Sequence, residues 1–180
     1  DIDNEIIPTD ISNYMLEVSV AKKRSKFGIQ ADASQLPFSD SQFELTYSID
    51  GIPAAYSPNE IYDEDELLFY SRLRKKIYRE MFRVTKPGGI VCLILPNKSQ
   101  KDFLNIPKKV LGKPYDRYGY ELSLIIEEIN SVGLQINDID YEMNITPFKS
   151  KILNEIWFSI IKSFGISFLG KICIKISKPA

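Results

Sequence analysis

Apolar residues recur along this chain in short runs separated by stretches of helical spacing. Phe43-Glu-Leu-Thr-Tyr-Ser-Ile49 is rich in β-formers and reads as a strand, broken by Asp50-Gly51. Ile90-Val-Cys-Leu-Ile-Leu95 is almost continuously apolar, the pattern of a strand buried on both faces. Gly28 to Ala31, Gln135 to Tyr141 and Ile172 to Ile176 read as further strands, and Ile6 to Thr9 as a short one ending at Asp10. Asp10-Ile-Ser12 then opens a helix with Ser12 as its N-cap, continued by Tyr14, Met15 and Val18. A long helix falls within Glu60 to Arg83, with acids early and bases late, as the macrodipole favours. Its Phe69, Leu73, Ile77 and Met81, joined by Tyr70 and Val84, form a core stripe. Pro87-Gly88-Gly89 is expected to stop it. Glu121 to Val132 is a further helix, with Leu122, Ile125, Ile126 and Ile129 on one side and Gly133 as its cap. Lys98 to Gly119 reads as loop with some helix, and Lys149 to Phe164 as a very apolar helix. Strands alternating with helices predict an α/β fold built on a mostly parallel sheet.

The 180 residues are enough for one domain with a substantial core, and no linker marks a second. A net charge of −1 gives no general attraction to nucleic acid. The cluster Lys22, Lys23, Arg24 and Lys26 is read as a solvated helix end, and no nucleic-acid partner is expected. The chain contains no histidine. That excludes a Ser-His-Asp or Cys-His mechanism within it, and no metal site is expected. Cys92 and Cys173 lie in apolar strand-like runs and read as buried thiols, which points to a reducing, cytoplasmic compartment.

In an open α/β sheet, ligands bind beyond the carboxyl ends of the strands. Asp10, Asp32 and Asp50 follow the three early strands and should share one rim. An acid after such a strand accepts hydrogen bonds from ribose hydroxyls; the alternative is that each aspartate caps the next turn. Three in succession favour a ligand.

The segments around these acids resemble class I S-adenosylmethionine (SAM)-dependent methyltransferases, in particular the small-molecule branch with a Leu-Pro-Phe motif. The likeness lies in Asp10-Ile-Ser-Asn-Tyr-Met-Leu16, Asp32-Ala-Ser-Gln-Leu-Pro-Phe38, Phe43-Glu-Leu45 and Arg83-Val-Thr-Lys-Pro-Gly-Gly89. Glu44 stands where that branch more often has Asp, and Thr85 where it has Leu. The resemblance implies a Rossmann-like three-layer sandwich, mostly parallel, with an antiparallel C-terminal strand. It implies SAM as cofactor and methyl transfer to a small-molecule acceptor by positioning. Asp10 would hold the ribose, Ile11 would lie against the adenine, and Asp32 and the Ala33 N–H would meet the adenine edge. Ser48 and Asp50 would approach the methionine end and the acceptor. Asp50, Tyr56, Tyr115, Tyr118 and Tyr120 are the acceptor-side candidates, each with a packing role as its alternative.

Two features depart from that pattern. The family's first strand leads into a Gly-x-Gly turn, yet none of the nine glycines lies two positions from another. The resemblance therefore implies that the first strand–helix unit is missing, that the chain is a fragment truncated before the second strand, and that a gap opens between the strands ending at Asp10 and Ser48. Such a chain would bind SAM weakly by itself. The other departure is an apolar helical insertion around 142–168, between strands that form a hairpin in the family. It is expected to cover the sheet, to act as a lid for a hydrophobic acceptor through residues such as Trp157, or to touch a membrane surface through 152–169. No transmembrane span is expected there. Gly165 to Lys171 superficially matches a phosphate loop, but Ile172 occupies its Ser/Thr position. Two rivals stay open, a non-catalytic methyltransferase-like binding module and an NAD(P)-dependent oxidoreductase.

Overall fold

Ser12 begins the first helix, as its position after Asp10 predicts. Strand β1 (Thr9–Asp10) leads into helix α1 (Asn13–Ala21), whose N-cap Ser12 accepts the Met15 N–H. The chain returns as β2 (Ile29–Gln30), parallel to β1 with Thr9 opposite Ile29. The basic cluster lies exposed, beginning at the α1 C-cap residue Lys22. In this computed structural model, residues 6–53, 63–97, 120–142 and 171–179 are described, with helical residues at 152, 155, 156 and 159.

The main sheet is built from β3 (Phe43–Ile49), β4 (Thr85–Leu95), β5 (Asp138–Glu142) and β6 (Lys171–Ser177), in the order β3-β4-β6-β5. β3 runs parallel to β4, and β6 runs antiparallel to both β4 and β5. Helix α2 (Glu64–Val84) joins β3 to β4, and α3 (Leu122–Ser131) precedes β5. Asp63 and Glu66 form a reciprocal capping box at the start of α2, and acids fill its first turn. Gly133, at φ 81, follows the end of α3 as expected. These elements give the α/β class, with helices packed on a mixed sheet in which β6 is the antiparallel strand.

The end of α2 differs from expectation. The helix stops at Val84, and Thr85 is already extended, so β4 begins before Pro87-Gly88-Gly89. Its last carbonyls have partners from distant parts of the chain. Ser41 N–H reaches Arg83 O, Gln42 N–H reaches Val84 O, and the Lys178 ammonium donates to Phe82 O and Thr85 O. With these carbonyls satisfied, no glycine cap is needed. Pro87-Gly88-Gly89 instead forms an irregularity inside β4, where the register moves from Phe43 opposite Thr85 to Leu45 opposite Ile90. Gly88 sits at φ 76, and a Cβ on Gly89 would come within 2.7 Å of Glu44 O.

The core lies on one face of the sheet. Val91, Leu93 and Leu95 of β4 and Ile172, Ile174 and Ile176 of β6 are almost fully enclosed, with Ile77, Met81, Ile125 and Ile129 from the helices. The other face is less enclosed: Ile90 is exposed, and Cys92, Ile94 and Cys173 are half-buried. The continuous apolar run of β4 therefore marks a strand fully enclosed on one face and only partly on the other. The same holds for both thiols, which are half-buried. Phe69 also departs from the core stripe: the first turns of α2 lie beyond the packed sheet, and the ring is exposed against Tyr70. Arg74, a residue that reads as one of the helix's solvent-facing bases, is buried.

The two sheets are separate. β1 and β2 pair with each other, and among the described residues no strand pairs with the other edge of β3. On that edge strand Leu45, Tyr47 and Ile49 are 55%, 44% and 55% exposed. Among the described residues the strands therefore form two sheets, with β3 at the edge of the larger one. β5 and β6 pair as implied, with residues 143–170 between them. Trp157, Tyr56, Tyr115, Tyr118 and the loop reading of 98–119 lie outside the described residues.

Candidate cofactor site at the strand ends

Asp10 closes β1 with its backbone carbonyl still in the ladder, accepting the Ala31 N–H at 3.0 Å. Its Oδ1 accepts the Ser12 N–H at 2.8 Å, which fixes the entry to α1. Asp32, just past β2, repeats the arrangement: Oδ1 accepts the Ser34 N–H at 2.8 Å. Both aspartates therefore perform the turn-capping role open to any strand-end acid. Each does so with one oxygen, and Oδ2 has no partner among the described residues. Between them Ile11 is 70% exposed, an apolar surface beside two carboxylates. Ala33 is half-buried against the main core, and its N–H likewise has no partner among the described residues. Asp10, Ile11, Asp32 and Ala33 thus come together at the carboxyl ends of two parallel strands.

A clamp that sequence reasoning missed holds the loop that follows. Arg83, near the end of α2, donates to Leu36 O at 3.0 Å, Phe38 O at 2.8 Å and Asp40 Oδ1 at 2.7 Å. Its remaining donors meet both oxygens of Glu80 at 2.8 Å, and Glu80 in turn accepts the Leu36 N–H at 2.9 Å. The planar guanidinium fork suits this many fixed acceptors. Hydrogen bonding to Arg83 holds the Glu80 carboxyl below its ordinary value, and Glu80 and Asp40 raise the Arg83 pKa. Phe38 packs edge-on against Phe43, ring centres 4.9 Å apart, at the start of β3. Leu-Pro-Phe is therefore a structural loop, pinned from both sides, that fixes where Asp32 and Ala33 stand. Arg83 belongs to the motif that carries the resemblance, but its partners depend on tertiary placement.

The other two rim residues sit on the main sheet. Ser48 lies opposite Leu93 on the helix-covered face, with Oγ close to Gly51. Asp50 follows β3 at φ 53, a conformation that aspartate tolerates better than most residues. Its N–H continues the ladder to Ile94 O at 3.0 Å, and its Oδ2 accepts from Lys171 Nζ at 2.7 Å. Asp50 is thus engaged in an ion pair with the first residue of β6. Tyr120 is buried, donates to Ile52 O, and has its pKa pushed up by burial, so it remains a protonated phenol in a structural role. Among the described residues no cluster of potential metal ligands occurs.

An acid-lined rim beyond the carboxyl ends of parallel strands, with helices on a mixed sheet, is the architecture of a nucleotide-binding α/β fold, the class to which class I methyltransferases belong. A family model described as a methyltransferase domain matches residues 2–93, and the chain belongs to that family. A ubiquinone/menaquinone biosynthesis C-methyltransferase UbiE from Shewanella sediminis is 30% identical over 139 residues, covering 71% of this chain and 46% of its own length. The protein of the same name from Idiomarina loihiensis is 29% identical over 126 residues, covering 67% of this chain and 41% of its own length. The chain therefore spans less than half the length of these relatives. A SAM-dependent methyltransferase structure from Methanosarcina mazei aligns over 95% of this chain and 80% of its own, with a TM-score of 0.55 at 13% identity, which shows the shared fold.

SAM is the cofactor this family and fold imply, and the donor set fits its adenosine half. Asp10 Oδ2 and Asp32 Oδ2 are acceptors for hydroxyl or amino hydrogens, the Ala33 N–H is a donor, and Ile11 offers an apolar surface to a purine. For the methionine half the described residues offer little: Ser48 Oγ faces the helices and Asp50 is paired with Lys171.

Proposed function

We propose that this chain forms the adenosine side of a SAM-dependent methyltransferase acting on a small-molecule acceptor. The observation that carries the reading is the pair of strand-end carboxylates, each with one oxygen unengaged, flanking exposed Ile11 above a loop pinned by Arg83. When bound, SAM supplies a methyl group already activated on a sulfonium. Asp10 would orient the ribose, Asp32 and the Ala33 N–H would fix the adenine edge, and Ile11 would exclude water from one purine face. No general base is required of the chain unless the acceptor holds a proton tightly, which suits a sequence without histidine.

The reading includes a further strand. The edge of β3 that no described strand pairs, its exposed Leu45, Tyr47 and Ile49, and the separation of β1–β2 support activity that depends on a parallel strand between β1 and β3, followed by a glycine-rich turn. The names of these C-methyltransferase relatives favour a carbon acceptor on a quinone-type, apolar molecule. Helical Ile152 and Ile156, exposed one turn apart, favour contact with a membrane surface from the cytoplasmic compartment. Among the described residues no helix is long and apolar enough to cross a membrane.

Calorimetry with SAM tests both parts. The 180-residue chain should bind more weakly than micromolar, and Asp10→Asn or Asp32→Asn should weaken binding by about tenfold, the worth of one charge-assisted hydrogen bond. Micromolar binding by the chain alone would overturn the need for a further strand. Undiminished binding in both variants would overturn the adenosine site.

A further inference from the structure

The chain has two cysteines, and the fold brings them together from 81 positions apart. Cys92 on β4 and Cys173 on β6 place their Sγ atoms 3.5 Å from each other. In the antiparallel register Cys92 stands opposite Lys175 and Cys173 opposite Ile94, so the thiols are diagonal neighbours on adjacent strands. Both side chains project from the less enclosed face of the sheet, alternating with the enclosed Val91, Leu93, Ile172 and Ile174. Both are half-buried and neither is disulfide-bonded. Tyr47, opposite Cys92 on β3, and nearby Ile90 are exposed on the same face. β4 and β6 are paired from Ile90 to Leu95, which prevents the two backbones from drifting apart. A disulfide requires the sulfurs to close to about 2.05 Å, which from diagonal positions takes a local shift of β4 against β6 as well as side-chain rotation.

We propose that Cys92 and Cys173 form a dithiol redox site whose oxidant is a small disulfide of the glutathione type. One protein thiolate attacks a sulfur of glutathione disulfide; that S–S bond breaks and one glutathione leaves as a thiol. The second protein thiolate attacks the protein-side sulfur of the mixed disulfide, and the second glutathione leaves. The two cysteines give up two electrons and two protons, and glutathione disulfide becomes two thiols. The product is a covalent staple between the two central strands of the main sheet, enclosing residues 93–172. The site is independent of the proposed function, since none of the strand-end residues takes part.

The test treats the reduced 180-residue chain with glutathione disulfide and reads the intact mass and the linked peptides. The expected result is a monomer that has lost two hydrogens, with the Cys92 and Cys173 peptides joined, and full reversal by a dithiol reductant. Cys92→Ser and Cys173→Ser, with the corresponding alanine variants as folding controls, should each stop at one glutathione adduct. Wild-type chain that retains glutathione adducts, or that cross-links only between molecules, would overturn the proposal.

Discussion

Arg83 commits its donors to the Leu-Pro-Phe loop and to Glu80, and this single side chain decides how firmly Asp32 and Ala33 are held. Replacing it with Met leaves Leu36 O, Phe38 O and two carboxylates without their partner. Arg83→Met should lower stability by about 2 kcal/mol in urea denaturation, since bonds to charged groups exceed neutral ones. It should also speed amide exchange across 33–40. The same clamp sets a pH dependence. Glu80 has a folded pKa depressed below 4.5, with the Arg83 hydrogen bond as its first cause. A depressed carboxyl adds stability above its ordinary pKa, and that stability is lost as pH falls through the folded value. Acid titration below pH 4.5 should therefore destabilise the wild type more steeply than Glu80→Gln. At this scale the sequence revealed Asp10, Asp32 and the Ser12 cap, because strand-end acids and N-caps act over two or three residues. It concealed Arg83 and Arg74, because the partners Leu36, Phe38, Asp40 and Glu128 of their side chains lie 43 to 54 positions away in the sequence.

Elements were legible where local chemistry sets their limits. β3 runs from Phe43 to Ile49 as read, with Asp50 in a left-handed turn at its end, and α2 starts at its capping box. The end of α2 was not legible, because its cap is assembled from Ser41, Gln42 and Lys178. The join between α2 and α3 was hidden for the same reason. Arg74, 1% exposed, meets both oxygens of Glu128, 2% exposed, at 2.8 and 2.5 Å. Burial opposes the Arg74 charge, but the hydrogen bond and charge of Glu128 outweigh it and raise the Arg74 pKa. Tyr78 lies buried in the same layer, with its phenol pKa also pushed up by burial. Breaking one member of such a pair leaves an uncompensated charge. Arg74→Met should cost about 3–5 kcal/mol, and Arg74→Met combined with Glu128→Leu should cost less than Arg74→Met alone. A double cycle followed by thermal or urea melting measures the difference.

At the scale of the whole molecule, motif spacing conveyed the fold more fully than hydrophobicity did. Leu-Pro-Phe marked the entry to β3, and Lys-Pro-Gly-Gly marked the irregularity inside β4 after which Ile90 to Ile94 pair regularly with β3. Hydrophobicity overstated the burial of β4, because the face of Ile90, Cys92 and Ile94 is only partly enclosed while the opposite face is packed. Among the described residues, those proposed for the adenosine side lie on one sheet, and Ser48 and Asp50 at the end of a strand of the other. That separation is the physical reason the chain should recognise a nucleoside better than a complete cofactor. A titration of the 180-residue chain with S-adenosylhomocysteine, followed by two-dimensional amide NMR, tests the central claim most directly. The amides of Ile11, Asp32 and Ala33 should move together and saturably, and Asp10→Asn and Asp32→Asn should suppress the movement. Saturable shifts elsewhere, with those three amides unmoved, would contradict it.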